Sequence, residues 1–296
     1  MEKIAGGVTA AKGFSAAHTA AGIKYQGRED MALIYSSEPC QTAGTFTSNV
    51  VKAAPVKWDR KLVEESAYTQ AVVVNAGIAN ACTGEEGMEY CRRTAECAGK
   101  ELDIPTDAVL VASTGVIGMQ LPMDRICEGI RSMAPQLSEE LAAGNGAAKA
   151  IMTTDTHEKE AAVTFTVDGA QVTVGGMCKG SGMIHPNMCT MLSFVTTDLA
   201  IEKELLQEAL RTVVEDTYNM ISVDGDTSTN DTCLLLANGL AGNKKITEKD
   251  ASYDAFVEAL MEVNRTLAKM MAGDGEGATA LFEVKVVGAR SREEAK

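Results

Sequence analysis

The chain is poor in the residues from which metal sites are most often built. Its 296 residues include three histidines, His18, His157 and His185, standing far apart. Its eight cysteines, Cys40, Cys82, Cys91, Cys97, Cys127, Cys178, Cys189 and Cys233, contain no C-x-x-C pair. On that spacing no zinc site is expected. Positive charge is in the minority: 27 lysines and arginines against 41 aspartates and glutamates leave a net charge of -14, a field that repels phosphate backbones and anionic lipid heads. Nucleic acid and membrane surfaces are therefore not expected partners. Long apolar runs are missing too. Even residues 71–74 are followed by Asn75 and Gly77, and residues 1–11 hold no basic patch ahead of an apolar stretch, so neither a signal peptide nor a spanning helix is expected. Such a chain belongs in the reducing cytosol, where thiols behave as small buried apolar groups, and the cysteines read as structural.

With 45% hydrophobic and 23% charged residues and 27 glycines, the composition is that of a globular protein with one large or two modest cores, which excludes disorder and collagen. Short β-branched runs alternate with amphipathic stretches, the grammar of a mixed α and β domain. Residues 71–74 and 108–112 predict strands buried on both faces, with a helix over 88–102 between them. Residues 162–167 and 171–174 alternate apolar and polar around Asp168-Gly169, which predicts a tight hairpin. Further strands are expected at 191–195, 232–237 and 281–287, and long helices at 201–220 and 251–271. No repeat, low-complexity tract or proline-rich linker marks a domain boundary. Ser291-Arg292-Glu293-Glu294 forms a capping box, yet the chain stops at Lys296. So short a helix cannot repay its nucleation, and the chain is expected to be cut short relative to the fold its sequence begins to specify.

The densest stretch of unusual residues runs from Gly175 to Thr190, with four glycines, a lysine and a proline leading into a strand. A phosphate loop needs Gly-Lys-Ser/Thr, and the order here is Lys179-Gly180-Ser181; a dinucleotide fingerprint fails because His185 stands where its third glycine belongs. The acidic stretch from Asp224 to Asp231 has Thr229 where a calcium loop needs glycine, and it reads as a buried polar turn. By spacing alone, Thr190 is a strand residue and Thr114-Gly115 a turn.

The run Lys179-Gly180-Ser181-Gly182-Met183-Ile184-His185-Pro186-Asn187-Met188-Cys189-Thr190-Met191-Leu192 resembles the autoprocessing segment of the ornithine acetyltransferase family, the bifunctional glutamate N-acetyltransferases of arginine synthesis. Phe46-Thr47-Ser48-Asn49, Asn80-Ala81-Cys82-Thr83-Gly84, Ser113-Thr114-Gly115-Val116-Ile117-Gly118, Ala150-Ile151-Met152-Thr153-Thr154-Asp155-Thr156, Ser222-Val223-Asp224-Gly225-Asp226 and Asp274-Gly275-Glu276-Gly277-Ala278-Thr279 follow in the family's order. The likeness spans nearly the whole chain.

The resemblance implies an α/β (α+β) fold, a layered α-β-β-α sandwich incomplete at its C-terminal end. It implies cleavage between Cys189 and Thr190, giving an α-chain segment of residues 1–189 and a β-chain segment of 190–296. The two pieces would contribute to one intertwined fold and assemble as two α and two β chains. Thr190 would be the nucleophile, and its freed α-amine, titrating near pH ~8, would serve as its own base. Thr114 and Gly115 would form the oxyanion hole, and Thr153, Lys179, Thr190 and Glu276 would bind substrate. The implied activity is acetyl transfer from N2-acetylornithine to glutamate in the cytoplasm, with acetyl-CoA as a candidate second donor and no metal or bound cofactor. Two other readings stay open: an incomplete scaffold that is inactive or needs a partner chain, and an N-terminal-nucleophile amidase.

Overall fold

The computed structural model describes residues 1–183 and 191–295. Its architecture turns on one long strand. β3 (Met31–Phe46) begins in one sheet, shifts register between Tyr35 and Cys40, and ends in another. In the first sheet it lies between β2 (Phe14–Thr19) and β4 (Thr69–Ile78), and β4 pairs in parallel with β5 (Val109–Val116). In the second sheet, residues Gln41 to Phe46 pair with β9 (Thr232–Ala237). Beyond β9 lie β8 (Leu192–Thr197), β7 (Ala170–Lys179), β6 (Lys159–Val167) and β1 (Glu2–Ile4). Parallel pairs need crossovers. α2 (Gly84–Leu102) supplies the one from β4 to β5, and α5 (Lys203–Glu215) the one from β8 to β9.

The two sheets face each other and helices cover their outer faces, so the α-β-β-α sandwich is present. Successive residues of a buried strand point to opposite sides. Val72 and Val74 of β4 enter the core between the sheets with Phe14, Leu110, Phe194, Leu234 and Leu236, while Ala71 and Val73 enter the core under α2 and α3 (Met123–Met133). Val195 and Leu235 point the other way again, against α5 and α6 (Ala251–Gly273). This explains why these strands are apolar without alternation. α1 (Ala54–Glu65) and α4 (Leu141–Ala150) add Leu62, Val63, Ala147 and Ala148 to the central core.

The predicted hairpin forms as β6 and β7, with Val167 paired to Ala170 across Asp168 and Gly169 at φ +49° and +83°, the positive angles of a two-residue type I′ turn. The helix expected over 201–220 is shorter. α5 ends at Glu215, and Tyr218–Met220 is a separate 3-10 turn.

Three expectations are corrected. Residues 281–287 form no strand: Phe282 and Val287 are 86% and 77% exposed, and no described strand lies beside them to satisfy their backbone. The capping box does close a single turn, α7 (Arg292–Ala295), with the Glu294 amide donating to Ser291 Oγ at 3.3 Å. The cysteines are not all buried thiols. Cys97 of α2 and Cys127 of α3 are joined in a disulfide and Cys82 is exposed, whereas Cys40, Cys91, Cys178 and Cys233 are free and buried. Sequence spacing could not show that two helices would bring together cysteines 30 residues apart. Among the described residues, no helix is long and apolar enough to cross a membrane.

Candidate active site

The parallel strands β4 and β5 end together at one edge of their sheet, and polar side chains clamp them there. Ser113 Oγ donates to Asn75 Oδ1 at 2.7 Å, and Asn75 Nδ2 donates to the Ile78 carbonyl at 2.9 Å. Asn230, just ahead of β9, reaches across and donates to the carbonyls of Ala79 at 2.6 Å and Ser113 at 2.8 Å. Beyond this clamp Gly77 and Gly115 face each other with φ of +114° and +128°. A Cβ on Gly115 would lie 2.2 Å from the Gly77 carbonyl carbon, so only glycine permits this approach. Thr114 and Gly115 therefore stand at the end of a rigid strand, the support that stabilisation of a developing oxyanion requires.

β7 ends at Lys179, whose partner in β8 is Leu192. Cys189 and Thr190 lie outside the described residues, but Met191, which follows Thr190, is described: its amide donates to Asp231 Oδ1 at 3.1 Å. Asp231 is fully buried, within reach of the Thr47 and Ser228 side chains. Burial pushes its carboxyl well above the usual carboxylate range, against the pull of the Met191 amide and of Lys179.

Beside Lys179 lies a sealed ionic cluster. Lys159 Nζ donates to Asp155 Oδ1 at 2.8 Å and to Asp274 Oδ2 at 2.6 Å, and its side chain is wholly buried. Asp155 also accepts the amides of Gly180 at 2.7 Å and Thr153 at 3.1 Å, and it faces Lys179 Nζ at 3.9 Å. Burial alone would raise the carboxyls of Asp155 and Asp274, but Lys179 and Lys159 outweigh it at Asp155, and bonds from Lys159 and Thr156 outweigh it at Asp274; both are held below their ordinary 3.8. Burial pushes the Lys179 ammonium below its ordinary value despite the attraction of Asp155.

The stability gained from the depressed Asp155 and Asp274 is complete above pH 3.8 and is lost as pH falls through the folded values beneath it. Lys159→Met takes from both buried carboxylates the ammonium they share and is expected to cost about 3–5 kcal/mol at neutral pH. Urea unfolding should show that deficit narrowing on acidification, because the variant's carboxyls take up protons first.

Thr114, Gly115, Thr153, Lys179 and Glu276, remote in sequence, all line one cavity of about 490 Å³. Glu276 is held by its amide, which donates to the Ser181 carbonyl at 2.6 Å, and its carboxylate lies against Gly182. Lys24, Arg28, Asp30, Asp224 and Asp226 add charged groups to the lining, with Arg28 Nη1 donating to the Thr153 carbonyl at 3.1 Å. The stretch expected to be a buried polar turn is thus divided: Asp224 and Asp226 are exposed at the cavity, whereas Ser228, Asn230 and Asp231 are buried. Its buried half works as a clamp, reaching the ends of both β4 and β5 through Asn230. Sequence reasoning assigned no role to Asp155, Lys159, Asp274, Asn230 or Asp231. Four of them lie within or beside motifs already quoted, and only folding shows what they touch. Among the described residues no group of histidine, cysteine, aspartate and glutamate is arranged to hold a metal.

A four-layer sandwich with a cavity that gathers hydroxyls, a buried ammonium and a clamped strand end beside the start of β8 is an arrangement suited to acyl transfer. A solved aminopeptidase of Ochrobactrum anthropi, itself described as a new variant among the Ntn hydrolase fold, superposes over 94% of this chain and 90% of its own with a TM-score of 0.57; at 13% identity this speaks for the fold alone. The chain belongs to the ArgJ family, which it matches over residues 15–296, and it is an acyltransferase of that family. It is 54% identical to the arginine biosynthesis bifunctional protein ArgJ of Symbiobacterium thermophilum over all of this chain and 73% of that protein. With ArgJ 1 of Clostridium acetobutylicum it shares 53% identity over 96% of this chain and 69% of that one. Among solved structures, ArgJ of Bacillus halodurans matches 64% of this chain and 97% of its own at 42% identity and a TM-score of 0.60. The ornithine complex of ornithine acetyltransferase from Mycobacterium tuberculosis matches 63% and 96% at 38% identity and a TM-score of 0.57.

Proposed function

We propose that this chain cuts itself between Cys189 and Thr190 and then transfers an acetyl group from N2-acetylornithine to glutamate through an acetyl-Thr190 ester. The observation that carries this is the convergence of Thr114, Gly115, Thr153, Lys179 and Glu276 on one cavity. In the cut, the Thr190 hydroxyl adds to the Cys189 carbonyl, the C–N bond breaks as the acyl group passes from nitrogen to oxygen and frees the Thr190 amine, and water then hydrolyses the ester to a carboxylate on residue 189 and the restored Thr190 hydroxyl. In transfer, that amine takes the hydroxyl proton as Thr190 Oγ attacks the acetyl carbonyl. The proton passes to the departing ornithine nitrogen. The α-amine of glutamate then attacks the ester, and the hydroxyl is restored. Thr114 and Gly115 stabilise the oxyanion at each addition. Lys179 takes the substrate carboxylate, Glu276 an ammonium, and Thr153 offers a hydroxyl. Acetyl-CoA would enter as a second donor by the same ester, leaving a free thiol.

The lengths agree with the cut. The solved Bacillus halodurans chain corresponds to 64% of these 296 residues, close to the 189 that precede Thr190. Two pieces of each kind would form the assembly.

Intact mass of the purified protein tests the cut directly. The expected result is two species, the smaller beginning at Thr190. A single chain of 31.2 kDa that transfers acetyl at full rate would overturn the amino-terminal nucleophile. Acetate released in place of acetylglutamate would make the protein an amidase.

A further inference from the structure

We propose that Asp155, backed by Lys159, is the positioning residue for substrate-carboxylate recognition, holding the Lys179 ammonium at the cavity wall and tying it to Thr153. This rests on the reading of Lys179 as the cation that receives the substrate carboxylate.

The two lysines beside Asp155 have different surroundings. Lys159 is sealed, with hydrogen bonds to Asp155 and Asp274 and to the His157 carbonyl at 3.3 Å, and it does not line the cavity. Lys179 lines the cavity and meets Asp155 Oδ2 at 3.9 Å, an ion pair too long for a hydrogen bond. Its donors are thereby left for a ligand while its charge is still steadied. That separation depends on Lys159. Lys159 and Gly180 donate to Oδ1 and Thr153 to Oδ2, so Asp155 is anchored by three donors and attracts Lys179 through charge alone.

The same carboxylate joins the segments that carry the binding groups. It bonds the Thr153 amide in the loop after α4 and the Gly180 amide directly after Lys179. Through Lys159 it is linked to Asp274, two residues before Glu276. Thr154 Oγ1 and Ser181 Oγ, 2.7 Å apart, fasten the first two segments again. A shift of Asp155 therefore moves Lys179 and Thr153 together.

The test is a double-substitution cycle on the full chain with Asp155→Asn and Lys179→Met, read with two acetyl donors that differ only in the α-carboxylate: N2-acetylornithine and N-acetyl-1,4-diaminobutane. Binding is followed by calorimetry and turnover by amine release. Asp155→Asn is expected to weaken N2-acetylornithine binding about 10- to 100-fold, in the range of a lost charge-assisted contact, with kcat nearly unchanged. Binding of the carboxylate-free donor should fall by no more than about 3-fold, the part carried by Thr153. The double variant should bind N2-acetylornithine within about 3-fold of Lys179→Met alone, well short of the additive loss, since Asp155 acts on the carboxylate through Lys179. If Asp155→Asn does not fold, Asp155→Glu keeps the charge and should show a smaller loss, again mainly with the carboxylate donor.

Equal losses for both donors, or additive losses in the double variant, would make Asp155 merely structural and overturn the proposal while leaving Lys179 its role. If Lys179→Met binds N2-acetylornithine as well as the unaltered chain does, or if that chain does not bind it, the role of Lys179 fails and Asp155 has nothing to position.

Discussion

Gly115→Ala is expected to all but abolish acetyl transfer and to destabilise the fold measurably. The new methyl would sit 2.2 Å from the Gly77 carbonyl carbon and 2.4 Å from its oxygen, at a φ of +128° that side chains rarely adopt. Relief would require β4 and β5 to part, yet Asn75, Ser113 and Asn230 bind their ends together. Overpacking against backbone and the strained angle together cost about 2–5 kcal/mol. Displacing the oxyanion support should lower kcat by roughly 10²–10³-fold. Two further glycines calibrate the effect. At Gly77 the first neighbour of an added Cβ is the Lys24 Cβ at 3.0 Å, and at Gly118 nothing lies within 4 Å, although both have positive φ. Urea unfolding should rank the losses Gly115, then Gly77, then Gly118. Wild-type transfer by Gly115→Ala would place the oxyanion elsewhere.

Thr190→Ala is expected to remove cleavage and transfer together, leaving one 31.2 kDa chain. In the proposed mechanism the hydroxyl attacks the preceding carbonyl and the cut releases the α-amine that acts as base, so the alanine would remove both functions at once. Transfer should fall by at least ~10³-fold, a loss of the size seen when a nucleophile is removed. Thr190→Ser keeps the hydroxyl and should still cleave. Incubating the cleaved protein with N2-acetylornithine and denaturing it should leave one acetyl group on the smaller piece. An acetyl group on any other residue would relocate the nucleophile.

Much of the fold was legible because buried strands and amphipathic helices carry it in their composition. Residues 71–74 and 108–112 read as strands buried on both faces, and the two cores on either side of β4 explain why. The turn between β6 and β7 was legible because Asp168-Gly169 is local chemistry. Residues 281–287 misled because apolar alternation describes a strand's faces but does not provide a neighbouring strand. The 201–220 helix was overextended for a similar reason: its apolar pattern continues to Tyr218, while the backbone turns after Glu215 to bury that ring against Ser193.

The site was legible only through likeness to a family. Hydroxyl residues at 114 and 153, a lysine at 179 and a glutamate at 276 have no periodicity that links them, and in sequence each alone reads as an ordinary turn or surface residue. The sequence by itself determined the alternation of elements, the tight hairpin and the family to which the chain belongs, since these follow from local hydrophobic pattern, turn chemistry and ordered motifs. Tertiary structure alone decided that β3 serves two sheets, that Gly77 and Gly115 touch, that Cys97 meets Cys127, and that Asp155 joins Thr153 to Lys179. Such contacts depend on where distant segments come to rest once their apolar faces are buried, and no short window of sequence carries that information.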